Sequence, residues 1–182
     1  MIQAEMGGAA RVDPGVGVQR PGFMIRDFVL ASNRGVEVRI SSFRGHSNLA
    51  VVFPGHSDAM RVFLEAVERH GSEFAMQETT VVAVVAHGPD EQGIPLATNS
   101  PILVLCDKTN AVYRLSGATD KNGRPVPLVY LTDRYGEIIA TYIAPIHSIP
   151  PSVEEILRRL EFTNHQCPEC EPPEWPRYRN EF

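Results

Sequence analysis

Cysteine is scarce in this chain. There are three among 182 residues, an odd number that does not describe a secreted domain stapled by disulfides. No run of basic residues occurs, the net charge is −5 and the pI is about 5.7. That balance argues against nucleic acid or an anionic membrane as partner. The longest wholly apolar run, Val81 to Ala86, is far too short to span a bilayer. Met1 to Met6 lack a basic region followed by an apolar stretch, so no secretory signal is expected. The six histidines form neither an HxH nor an HExxH pattern, and no internal metal site is legible. No internal repeat occurs. These absences predict a cytoplasmic protein whose thiols are normally reduced. The 43% hydrophobic content suffices for the core of one domain with appendages.

Residues 1–20 are rich in Gly and Ala with little periodicity and read as a flexible segment. Phe28-Val29-Leu30 and Val36 to Ile40 flank Ser32-Asn33-Arg34-Gly35, a hairpin with its turn. Leu49 to Phe53 is a continuous apolar run, as in a strand buried on both faces. Ser57 or Asp58 can cap a helix whose apolar positions are Ala59, Val62, Phe63, Ala66 and Val67, with Gly71 as its stop. Thr80 to Ala86 and Ile102 to Leu105 read as further strands, and Asn110 to Leu115 as a short helix. Leu128 to Leu131 and Glu137 to Ile143 pair around the turn Asp133-Arg134-Tyr135-Gly136. Ser152 and Glu155 form a capping box for a helix with Val153, Ile156, Leu157 and Leu160 on one face, ending after Phe162. Pro168, Pro172, Pro173 and Pro176 forbid helix beyond. Alternation of strands and helices, then a hairpin and a final helix, implies an α/β mixed sheet covered on both faces.

This order, over roughly residues 21–162, resembles the thioredoxin-like fold, and within it the redoxin or AhpC/TSA (peroxiredoxin-like) family. The likeness is carried by four segments: Pro21-Gly22-Phe23 to Leu30, Val36 to Gly45, Leu49 to Gly55, and Pro127 to Ile138. It implies an antioxidant oxidoreductase, commonly a homodimer, acting on a hydroperoxide or a thiol/disulfide protein partner. It also implies that Pro127, just before a core strand, is cis and faces the active site. The family's nucleophilic cysteine sits in the first turn of the first helix, where the helix N-terminus and a nearby Arg favour the thiolate. Here the junction Phe53-Pro54-Gly55-His56-Ser57-Asp58-Ala59-Met60-Arg61 holds no cysteine. Ungapped counting puts Arg61 at the Cys position and Asp58 at the Thr position. Deleting one residue puts Met60 and Ser57 there, and a thioether cannot form a thiolate. Ser57, Asp58 and Pro127 mark a degenerate site, and no general base for Ser57 is identifiable.

The chain's one redox-type motif is instead Cys167-Pro168-Glu169-Cys170, in the proline-rich segment 163–182. Its spacing permits a disulfide, which makes Cys167 and Cys170 candidate catalytic thiols. Against that, no helix follows to stabilise a thiolate, and Glu169, Glu171 and Glu174 should raise the thiol pKa. A second reading is zinc, with Cys167 and Cys170 as half a knuckle and His165 as third ligand. The fourth would come from His147, His70, Cys106 or a second chain. A third is packing, with the lone Trp175 docked on the domain or a neighbouring subunit. Cys106, ending a strand, reads as a small buried hydrophobe. No organic cofactor is implied. Two functions stay open: a thiol oxidoreductase whose tail folds over the site near Ser57 and Pro127, and a redox-inactive binding module with a zinc- or Trp175-anchored tail.

Overall fold

The computed structural model describes residues 17–86, 100–143 and 150–166. Within them a seven-stranded sheet is built from β1 (Val29–Ser32), β2 (Glu37–Arg39), β3 (Asn48–Phe53), β4 (Thr79–Val85), β5 (Ile102–Cys106), β6 (Leu128–Thr132) and β7 (Ile138–Ile143). Four α-helices accompany it, α1 (Asp58–Arg69), α2 (Gly71–Met76), α3 (Ala111–Leu115) and α4 (Val153–His165), with a short 3-10 helix at Ile40–Phe43. The strand order is β2-β1-β5-β4-β3-β6-β7. β3, β4 and β5 run parallel, and β6, β7, β1 and β2 are each joined antiparallel.

β3 is central. All six of its residues are buried, with Val51 opposite Val82 on one side and Tyr130 on the other. Its lack of polar alternation follows from having no solvent-facing side. One face of the sheet packs Ala50, Val52, Ala83 and Val129 against α1, α2 and α4. The other packs Val51, Phe53, Val84 and Tyr130 against Val112 and Tyr113 of α3 and against Ile25 and Phe28. Helices therefore cover both faces, as the element order predicted. Among the described residues no helix is long and apolar enough to cross a membrane.

Several local expectations are corrected by packing. Gly71 does not end the helical region but opens α2. A Cβ there would lie 2.6 Å from the Pro101 side chain, so the glycine allows close approach rather than chain termination. The buried face of α1 is Met60, Phe63, Leu64 and Val67, while Val62 is 52% exposed. α4 runs past Phe162 to His165, because no breaker precedes Pro168. Its last turn is tied down by Asn164, whose Nδ2 donates to Gln77 and whose Oδ1 accepts from buried Asn48 at 2.9 Å. Ser152 caps α4 by accepting from the Glu155 N–H. The reciprocal half of the capping box is replaced: the Glu155 carboxylate accepts from the Tyr142 hydroxyl and the Arg159 guanidinium. Of the N-terminal segment, Gln19 is docked, its N–H donating to the Tyr130 oxygen and its carbonyl accepting from Thr141.

Candidate functional site at the junction of β3 and α1

β3 ends at Phe53, at the C-terminal end of the parallel strands. Pro54 and Gly55 are buried, and the chain then turns into α1. Gly55 has φ of 57° and sits where a Cβ would be 3.2 Å from the backbone of Val126 and Pro127. The junction is thus pressed against the start of β6. Ser57 is the N-cap of α1, and its hydroxyl accepts from the Met60 N–H at 3.4 Å. Asp58 is the first helical residue, with an almost fully exposed carboxylate 3.8 Å from Arg61. There it complements the helix dipole. Arg61 is held by Glu65 at 2.9 Å. Met60 is 1% exposed.

Pro127 is buried beside this junction. Its peptide bond is trans, since no cis bond occurs among the described residues. The cis expectation, which the resemblance alone carried, is corrected: trans is the default for an X–Pro bond. Met60 and Pro127 line a cavity of about 520 Å³ together with Val129, Tyr142, Pro151 and Glu155. That volume lies within the usual range of ligand pockets.

Sequence reasoning missed Tyr113 and Asp107. Tyr113 is fully buried; its hydroxyl donates to Val84 at 2.8 Å and receives the Gly55 N–H. Burial pushes this phenol well up; the Gly55 N–H opposes the shift and nearby Asp107 adds to it. Asp107 is 1% exposed and accepts from the Ala111 and Tyr113 N–H groups, closing α3. A buried acid directly after a strand was the available signal. Phe53 lies edge-on to Tyr113, ring centroids 5.2 Å apart, and to Tyr130 at 6.4 Å.

Cys106 is half-buried at the end of β5, packed on the same face as α1. Burial pushes its thiol up, with Lys108 pulling weakly the other way. A raised pKa means less thiolate at neutral pH. Cys106 should therefore alkylate more slowly than free cysteine at neutral pH and speed up as pH rises. Peptide mass spectrometry of timed iodoacetamide labelling checks this; faster labelling than free cysteine would refute it.

His165 ends α4, exposed. Cys167, Cys170, His147 and Trp175 lie outside the described residues. Of the other proposed zinc ligands, His70 is held by Glu73 next to α2 and Cys106 is at the end of β5. Among the described residues no three His, Cys, Asp or Glu side chains group as a metal site. α4 starts beside Pro127 and Met60 and ends beside Asn48 and Gln77. His165 is thus at the opposite end of the sheet from Ser57. β3 alone spans about 17 Å between those ends.

This sheet and its helices are the thioredoxin-like fold as built in peroxiredoxins. The structure is similar to reduced 2-Cys peroxiredoxin of Plasmodium vivax, with TM-score 0.68, 17% identity, and 85% of this chain and 86% of that one covered. It is also similar to AhpC of Mycobacterium bovis, with TM-score 0.67, 12% identity, and coverage of 82% and 99%. A yeast mitochondrial 1-Cys peroxiredoxin gives TM-score 0.68, 13% identity, and coverage of 81% and 77%. No protein-family model matches the sequence, and no curated protein does.

Proposed function

We propose that this chain is a peroxiredoxin-like thiol oxidoreductase of a reducing, cytoplasmic compartment whose redox couple is Cys167 and Cys170. The observation that supports it most is the state of the first turn of α1. It carries no thiol, the Ser57 hydroxyl is engaged as a helix cap, and Met60 is core. The only two thiols at disulfide spacing are in the C-terminal segment. In the peroxide reaction one thiolate attacks the distal oxygen, the O–O bond breaks, and an alcohol or water leaves. The resulting sulfenic acid condenses with the second thiol, releasing water and closing the disulfide. A dithiol protein partner then returns the pair to thiols by exchange. Ser57, Asp58 and Pro127 frame the junction without taking part in these steps. A homodimer is part of this reading. Gln166, which precedes Cys167 in the sequence, lies at the opposite end of the sheet from Ser57, and this favours chemistry at that end or on a second copy over chemistry at Ser57.

Hydroperoxide consumption and insulin-disulfide reduction, each driven by excess dithiol, test the reading. Cys167→Ser and Cys170→Ser should each lose insulin-disulfide reduction, and the double variant should also lose hydroperoxide consumption, while Cys106→Ser and Ser57→Ala stay near wild type. Unchanged insulin-disulfide reduction in Cys167→Ser would overturn it.

A second reading is favoured by the cavity at Met60 and Pro127. A redox-inactive module would hold a partner's side chain there, with Cys167, Cys170 and His165 binding zinc or packing. Absence of thiol-dependent turnover, with zinc retained after purification and lost in acid, supports this alternative.

A further inference from the structure

A cavity lies beside the start of α4, and an exposed strip of α4 leads to it. Tyr142, Pro150, Pro151 and Glu155 are at one end of that route. Residues three and four apart on a helix are surface neighbours, so Glu155, Arg158, Arg159, Phe162 and His165 form a continuous strip toward the helix end. Phe162 on it is 67% exposed. Arg159 lies over the Tyr142 ring at 5.8 Å, and Arg158 makes no ion pair among the described residues. A pocket lined by Met60, Pro127, Val129 and Tyr142 with polar groups at its rim, an exposed phenylalanine and two arginines in line, of which Arg159 also meets Glu155, suit an occupant that carries both acidic and apolar residues.

We infer that the chain's own C-terminal segment, residues 167–182, is this occupant, with Trp175 seated in the cavity lined by Met60, Pro127, Tyr142 and Pro151. The segment follows Gln166, the C-cap of α4 at the end of the same strip. Retracing α4 from Gln166 to Ser152 is about 21 Å. In extended proline-type backbone at about 3.1 Å per residue, roughly seven residues cover that distance. Cys170 stops at about 12 Å, and Trp175 arrives with slack at about 28 Å. Trp175 is the first aromatic residue of the segment and the only tryptophan of the chain. Glu169, Glu171 and Glu174 precede it and would lie along the strip of Arg158 and Arg159. Pro172 and Pro173 preorganise the extended path and lower its ordering cost. This arrangement holds Cys167 and Cys170 against the outer face of α4, and it does not depend on either thiol being redox-active.

The single tryptophan makes the proposal directly measurable in the full-length protein. Its emission, excited selectively, should be blue-shifted and shielded from acrylamide, and independent of protein concentration. Tyr142→Ala and Pro151→Arg, at the rim, should each shift it to the solvent value while circular dichroism stays unchanged. Arg158→Glu, on an exposed helix position that does not threaten folding, should increase quenching. Solvent-like emission in the wild type overturns the proposal. So does shielding that survives all three substitutions, which would put Trp175 elsewhere, or shielding lost on dilution, which would put it on a second copy.

Discussion

Gly55→Val is expected to lower stability by about 2–5 kcal/mol, although residue 55 faces no substrate in any reading. Two costs combine. Gly55 has φ of 57°, a left-handed conformation that costs an L-residue about 1–2 kcal/mol, more when the side chain is β-branched. The new Cβ would also lie 3.2 Å from Val126 and Pro127 backbone atoms and 3.3 Å from the Pro125 carbonyl. Backbone cannot swing aside as a side-chain tip can, and overpacking of this kind costs about 1–3 kcal/mol. Relief by moving the junction would also strain the hydrogen bond from Gly55 to Tyr113. Urea unfolding should give a lower midpoint at unchanged slope. A loss below about 1 kcal/mol would mean that the approach of the junction to β6 is not tight.

Phe53→Ala carries an effect of similar size by another route. Phe53 is fully buried, the last residue of β3, and meets both Tyr113 and Tyr130 edge-on. Truncating a buried phenylalanine costs about 3–5 kcal/mol, because the lost transfer energy is joined by a cavity its neighbours only partly fill. Collapse is restricted here, since the Tyr113 and Tyr130 hydroxyls are fixed to the Val84 and Ser116 carbonyls. Moving either ring inward would break a buried hydrogen bond. Phe53→Leu, which keeps most of the volume, should cost less than about 1.5 kcal/mol. Equal losses for Ala and Leu in thermal or urea unfolding would refute this account.

Both predictions fall at the junction where the fold places a chemical centre in the sequence resemblance. In this chain the junction is occupied by residues with structural work: a cap at Ser57, core at Met60, a close approach at Gly55, and an aromatic brace at Phe53. The same residues that make the segment legible as a strand-to-helix turn leave no thiol at it. That is the physical reason to look for redox chemistry in Cys167 and Cys170.

The sequence alone determined what depends on local pattern. The unbroken apolar run of β3, the turns at Gly35 and Gly136, the caps Ser57 and Ser152, and the order of the seven strands with α1, α3 and α4 were legible, while α2 was not. Each rests on backbone preferences, capping or burial periodicity within a few residues. Tertiary structure decided what depends on distant partners. Residue 71 is glycine where Pro101 lies too close for a Cβ, and Met60 rather than Val62 faces the sheet because of how α1 lies on it. Glu155 abandons its capping box because Tyr142 and Arg159 offer hydrogen bonds. Tyr113 and Asp107 become a buried network because α3 closes over the ends of β3 and β4. The separation of His165 from Ser57 was equally invisible in the sequence. It follows from α4 lying along the sheet from one end to the other, locked at its last turn by Asn164, Asn48 and Gln77, and no local pattern encodes the direction in which a helix carries the chain.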